Sequence, residues 1–264
     1  MTAPIICFDL DGTLVRSDGS IHPNDVEILK NERGVVWIPA TGRMLHSVHN
    51  IFQRHGLFLD EPIPFPLILQ NGASTYLPSE QLHEYLAFEP ELQAHLIRLI
   101  EARPGLATFF SSVDELHIMH ADPFAVQAAN HYDFCIQAFT EASYSRRYGK
   151  VMCLSENSDL LAQIAEATRD LPLDRAFSMP TIFEVTPPGA NKGAALKRLL
   201  PTIGMTDSTV YVVGDGGNDL TLFSAGDHSF TPLTSPPRDP GAGRARYRCQ
   251  RRGDLGADHA LRGR

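Results

Sequence analysis

Short apolar runs separated by amphipathic stretches set the pattern of this chain. Residues 5–8, Ile-Ile-Cys-Phe, form a compact β-branched and aromatic run that predicts a buried strand. Pro23-Asn24-Asp25 opens a helical pattern that reaches about residue 33, with Val26, Leu29 and Ile28 expected on its inner face, and Gly34 ends it. Residues 35–38 predict a second buried strand, 43–55 a helix stopped by Gly56, and 67–69 a third strand. Strand and helix alternating with short joints predict an α/β fold, a parallel sheet with helices on its faces. The same alternation returns as a helix over 191–200, a strand over 210–213 and a helix over 219–225. Between these halves the texture changes. Strands are expected at 106–110, 116–119 and 151–154, and helices near 90–103, 123–131 and 158–169. This stretch is long enough to be a domain. The expectation is a discontinuous core of residues 1–79 and 186–264, with a second domain of residues 80–185 inserted into it.

Composition narrows the function classes. The 264 residues are 43% hydrophobic and carry a formal charge of −8, which fits a folded, acidic protein. Such a charge points away from nucleic acid and anionic membranes as partners. Residues 238–264 run the other way, with eight arginines against Asp239, Asp254 and Asp258. A solvated terminal segment is the plainer reading of that tail, and contact with RNA the alternative. Tyr247 and residues 253–261 look like a last strand and short helix. The cysteines, Cys7, Cys135, Cys153 and Cys249, form no CxxC pair and suit a reducing, cytoplasmic setting. No run approaches a membrane span, and the N-terminus lacks the basic start of a signal peptide.

The chemistry-bearing residues stand where strands end. Asp9-Leu10-Asp11-Gly12-Thr13-Leu14 follows the first strand directly. Two carboxylates two residues apart can share one site at the carboxyl edge of a sheet, where ligands of parallel α/β sheets bind. They suit a divalent cation with oxygen ligands. An EF-hand is excluded, because Gly12 stands fourth and Ser20 twelfth in the loop. Gly214-Asp215-Gly216-Gly217-Asn218-Asp219 caps the 210–213 strand in the same way, its glycines allowing close backbone approach. Thr41, in Ala40-Thr41-Gly42-Arg43, follows the second strand at the expected start of a helix, an anion-binding position. Lys192 opens another helix and offers a fixed positive charge. A lone Thr or Lys at a helix start is usually a cap. Their interest lies in falling at junctions of one sheet.

These four segments, in this order, resemble the haloacid dehalogenase superfamily, most closely its Cof-type branch, whose large α/β cap is inserted after the third strand. Asp9 and Asp11 match the first motif, Thr41 the second, Lys192 the third, and Asp215 with Asp219 the fourth. Thr41-Gly42-Arg43 and Gln70-Asn71-Gly72-Ala73 are similar to Cof-type stretches as well. The resemblance covers roughly residues 4–77 and 183–226. It implies a Rossmann-like core with a specificity-conferring cap, and a Mg2+-dependent phosphatase of a small phosphorylated metabolite, a sugar phosphate or similar monoester. Asp9 would attack phosphorus to give an aspartyl-phosphate, and Asp11 would serve as acid and then base. Thr41 and Lys192 would hold the phosphoryl oxygens. Magnesium would bind Asp9, Asp215 and the Asp11 carbonyl, with Asn218 and Asp219 behind them. Thr41, Gly42, Arg43 and Asn71 would touch substrate. A phosphomutase of the same superfamily is the alternative within this chemistry. A non-catalytic, RNA-associated protein using the arginine tail is the alternative outside it.

Overall fold

The computed structural model describes residues 2–131, 135–232 and 247–251, the last of these by backbone alone. Its central sheet is built from β1 (Ile5–Phe8), β2 (Val36–Pro39), β12 (Val210–Val213), β13 (His228–Pro232) and β14 (Tyr247–Arg251) in the order β14-β13-β12-β1-β2. All neighbours are parallel except β13 and β14. The strand expected at Tyr247 is β14, while residues 253–261 and most of the arginine tail lie outside the described residues.

Alternation along β1 sends its side chains to two separate cores. Phe8 packs with Leu29, Val48, Ile51 and Phe52 of α1 (Pro23–Asn31) and α2 (Leu45–Arg54). Ile5 and Cys7 face the other way, onto Leu196 and Leu199 of α6 (Lys192–Thr202) and Leu222 and Phe223 of α7 (Leu220–Phe223). A sheet buried on both faces is what the unbroken apolar strands anticipate. The register is level: Phe8 stands opposite both Val213 and Pro39. The residues that follow, Asp9, Gly214 and Ala40, therefore leave the sheet side by side.

The third strand departs from expectation. β3 (Leu67–Leu69) pairs antiparallel with β4 (Ser74–Leu77), which pairs with β5 (Gln81–Tyr85). It touches β2 through one parallel bridge, Ala40 to Ile68. The N–H groups of Val36 and Ala40 point to β1, so Pro39, an odd position, turns its nitrogen toward β3. That nitrogen carries no hydrogen, and the donor left to meet β3 is the Thr41 N–H, 2.8 Å from the Ile68 carbonyl. β5, beyond residue 79, stays tied to the core as well, for Glu84 meets Arg198 of α6 at 2.9 Å.

The inserted layer is a second sheet in the order β10-β11-β9-β6-β7-β8, formed by β6 (Ala107–Ser111), β7 (Leu116–Met119), β8 (Ile136–Ala138), β9 (Lys150–Leu154), β10 (Asp174–Met179) and β11 (Ile182–Thr186). Its outer face, with Phe110, Val151, Cys153, Phe183 and Val185, is covered by α3 (Pro90–Glu101) and α5 (Ser158–Ala167). α4 (Pro123–His131) packs on part of the inner face through Ala125 and Ala129. The remainder of that face looks onto the strand ends of the core, across a cavity of about 350 Å³.

Candidate active site

Lys192 is the pivot of the site. Asn191 caps α6 by accepting from the Ala194 N–H at 2.8 Å, which places Lys192 in the first turn, pointing at the sheet edge. Its side chain is fully buried, and its Nζ lies 2.7 Å from Asp9 Oδ1 and 2.6 Å from Asp219 Oδ1. The other Asp219 oxygen accepts from the N–H groups of Asp215 (3.0 Å) and Gly216 (2.9 Å). Asp219 thus shapes the loop that presents Asp215 and is bonded through both its oxygens.

Burial pushes the Asp9 carboxyl above the usual carboxylate range; Lys192 draws it back and Asp219 adds repulsion. Asp215 is raised in the same sense, by burial and then by Asp219. Burial alone would lower Lys192, but Asp9 and Asp219 outweigh it and hold the ammonium above the ordinary lysine value.

Carboxylate oxygens of Asp9, Asp215 and Asp219 all fall within 4.8 Å of one another. Gly12 makes the approach of Asp215 possible. Its φ is +79°, and a Cβ built on it would stand 2.1 Å from Asp215 Oδ2. Thr13 Oγ1 donates to Asp215 Oδ1 at 3.3 Å. Asp9, Asp11, Asp215 and Asp219 gather four carboxylates, and the cations bonded to them are Lys192 and Arg43. Two negative charges remain on an all-oxygen donor set. That set fits a hard divalent cation such as magnesium.

Thr41 is buried, and its Oγ1 accepts from the Arg43 N–H at 3.2 Å. The helix expected from residue 43 begins at Leu45 instead, so Thr41, Gly42 and Arg43 form a turn ahead of it. Arg43 grips Asp11 through Nε (2.8 Å) and Nη2 (2.7 Å), and donates from Nη1 to Ser47 at 2.6 Å. Asn71, at a left-handed φ of 57°, donates to Glu184 at 2.9 Å and accepts from Asn218 at 3.1 Å. Of the residues singled out in the sequence, Asp9, Asp11, Gly12, Thr41, Gly42, Arg43, Asp215 and Asn218 line the cavity. Lys192 and Asp219 lie behind Asp9, fully buried. Asn71 sits at the junction of the two sheets.

The sequence reading passed over Lys150 and Glu184 of the inserted sheet. Lys150 pairs with Glu184, and both are buried and line the cavity. Burial works to raise the Glu184 carboxyl, but Lys150 and then Asn71 hold it below the ordinary value. A single charge inside Ile-Phe-Glu-Val-Thr is the mark that could have flagged Glu184. His46 and His49, three residues apart on α2, take partners on their own side of the core, His46 bonding to Asn50 (3.1 Å) and His49 to Glu80 (3.3 Å). Among the described residues no helix is long and apolar enough to cross a membrane.

Known proteins are similar to this chain in sequence and in fold. An HMP-PP phosphatase of Klebsiella pneumoniae is 26% identical over 247 residues, covering 89% of this chain and 86% of that protein. A haloacid dehalogenase-like hydrolase from B. subtilis superposes with a TM-score of 0.75 at 19% identity, over 86% of this chain and 88% of that one. A haloacid dehalogenase subclass IIB sugar phosphatase superposes with a TM-score of 0.71 at 16% identity, over 88% of each chain. The sequence pattern of the haloacid dehalogenase-like hydrolases matches residues 6–231, and with that match the chain belongs to this family, in its Cof-type branch.

Proposed function

We propose that the protein is a magnesium-dependent phosphatase that hydrolyses a small phosphate monoester through an aspartyl-phosphate on Asp9. The observation that carries this reading is the pinning of Asp9 by a fully buried Lys192 at the level end of three strands. One Asp9 oxygen is fixed by the ammonium, which leaves the other to attack phosphorus. Lys192 screens the repulsion between that carboxylate and a phosphate dianion, and the Thr41 hydroxyl is free to donate to a phosphoryl oxygen. Magnesium held by Asp9, Asp215 and the Asp11 carbonyl would neutralise phosphoryl charge as it is transferred. Asp11, half-exposed at the cavity, delivers a proton to the leaving oxygen and then takes one from the water that cleaves the acyl phosphate. Arg43 holds the Asp11 carboxylate by two hydrogen bonds and so fixes where that proton is exchanged. The inserted domain, residues 80–185, closes the cavity from above, which favours small soluble esters over phosphopeptides. The similarity to a phosphatase from Klebsiella pneumoniae supports the reaction class.

The test is a panel of phosphorylated metabolites assayed with magnesium and with EDTA, followed by acid trapping of labelled phosphate on the protein. Turnover that needs magnesium, and label that is lost in Asp9→Asn, are expected. Hydrolysis that survives in Asp9→Asn would overturn the covalent route.

A further inference from the structure

The cavity is roofed by one face of the inserted sheet, and the register says what that face is made of. Phe109 of β6 stands opposite Met152 of β9, and Met152 opposite Glu184 of β11. In the next row Ala107 stands opposite Leu154, and Leu154 opposite Ile182. Side chains two residues apart share a face, so Met152, Leu154 and Ile182 point the same way as Phe109. Their alternates Val151, Cys153 and Phe183 are packed outward under the helices. Phe109, Met152, Leu154 and Ile182 all line the cavity, and Met179 joins them from the end of β10, about half-exposed.

Polar groups on this roof are gathered at one end. Lys150 donates to the Gly42 carbonyl at 2.9 Å and pairs with Glu184, which accepts from Asn71 and from Ser178 of β10, a further residue of the cavity lining. These atoms belong to the junction with the Thr41–Arg43 turn, where the phosphoryl group is expected. Away from it the roof is aliphatic, aromatic and thioether. A polyol placed there would surrender water from its hydroxyls and find no partners on Met152, Leu154 or Ile182. A flat ring would lie against Phe109 and meet the sulfur atoms of Met152 and Met179, contacts that favour aromatic groups. Arg16 and Ser17 of the core line the opposite side and can meet a ring heteroatom. The volume, about 350 Å³, falls at the small end of ligand sites.

From this we infer that the ester the enzyme prefers is that of an alcohol carrying a single aromatic or heteroaromatic ring, bound against the Phe109–Met152–Leu154–Ile182 face, and not that of an open or cyclic polyol. The inference rests on the phosphatase reading for its chemistry, and on the roof alone for its selectivity.

The test compares unactivated primary esters. Benzyl phosphate and pyridylmethyl phosphate are assayed with magnesium beside glucose 6-phosphate and glycerol 3-phosphate, the last controlling for size. The ring esters are expected to have the higher kcat/KM, by about tenfold or more, chiefly through KM. Binding of benzylphosphonate and of the phosphonate analogue of glucose 6-phosphate is measured by calorimetry in parallel, so that selectivity is read without turnover. Met152→Gln, and Ile182→Thr as a second variant, are expected to shrink the ring-to-polyol ratio severalfold. Tighter binding of benzylphosphonate without hydrolysis of any ester would overturn the phosphatase reading and leave the ring selectivity of the roof standing. Equal handling of the two classes, preference for the polyols, or no binding of benzylphosphonate would overturn the inference and leave the phosphatase reading untouched.

Discussion

Lys150, on the inserted sheet, donates a 2.9 Å hydrogen bond to the carbonyl of Gly42, on the core turn that carries Thr41. The same ammonium pairs with Glu184, and Glu184 accepts from Asn71 of the core. An ion pair of the roof is therefore completed by groups of the floor. Gly217 marks a second close approach. A Cβ there would lie 2.6 Å from the Phe177 carbonyl of β10, so the two layers meet backbone to backbone beside Asn218.

Removing one partner of this buried pair should be costly. Glu184→Gln leaves the buried Lys150 ammonium with neutral acceptors and no counter-charge, and a loss of about 3 kcal/mol in urea unfolding is expected. The sign of the pH effect follows from the Glu184 carboxyl, held below its ordinary 4.5. Its stabilisation is fully present above that value and disappears as the pH falls through the lowered one. The gap in Tm between wild type and Glu184→Gln should be wide at pH 7 and narrow once the pH drops below about 4.5. A gap that stays constant with pH would dismiss the ion pair as its source.

Gly12→Ala tests the proposed metal site without replacing a ligand. The new Cβ collides with the Asp215 carboxylate, at a φ of +79° that alanine resists. The expected result is a folded protein whose Tm no longer rises with magnesium and whose kcat/KM falls about 100-fold or more. A normal magnesium response would show that Asp215 does not need that space.

Magnesium itself should stabilise the protein more at pH 8 than at pH 6. Asp9 and Asp215 are pushed upward by burial, so protons compete with the cation for both carboxylates. Binding then releases protons, and affinity rises with pH. Differential scanning calorimetry with and without the ion reads this directly. A larger shift at the lower pH is the contrary outcome.

How much of this was legible beforehand divides along physical lines. Asp9, Thr41 and Asp215 stand within two residues of the ends of apolar strands, and a parallel sheet delivers such residues to one edge, so the core of the candidate site could be read from order alone. The near-separation of β3 from the central sheet could not, because it turns on which side of β2 the Pro39 nitrogen faces. Lys150, Met152 and Glu184 were hidden for another reason. Their common face is created by pairing β6, β9 and β11, and pairing between distant segments leaves no trace in local periodicity. Arg43 illustrates a third kind of limit. Its position in the turn was apparent, while its grip on Asp11 depends on the level register of β1 and β2.

The two aspartates of the first loop should separate kinetically. Asp9→Asn removes the proposed nucleophile and is expected to lower kcat by roughly 10⁴-fold or more for every ester. Asp11→Asn removes the proposed proton donor, with an expected loss of about 10²–10⁴-fold for alkyl esters. With an aryl phosphate, whose leaving group departs without a proton, the loss in Asp11→Asn should be much smaller. Equal losses on both ester types would place Asp11 outside proton transfer.

The level ending of β1, β2 and β12 also acts as a safeguard during folding. A slip of β12 by one residue against β1 would turn Asp215 toward the opposite face and carry Asp219 away from Lys192. The ammonium would then be sealed in the interior with a missing counter-charge, a state costing several kcal/mol. Mispaired chains are thus penalised by the same charges that would perform the reaction, and a molecule that has settled into its stable register has, by that fact, assembled its candidate catalytic groups.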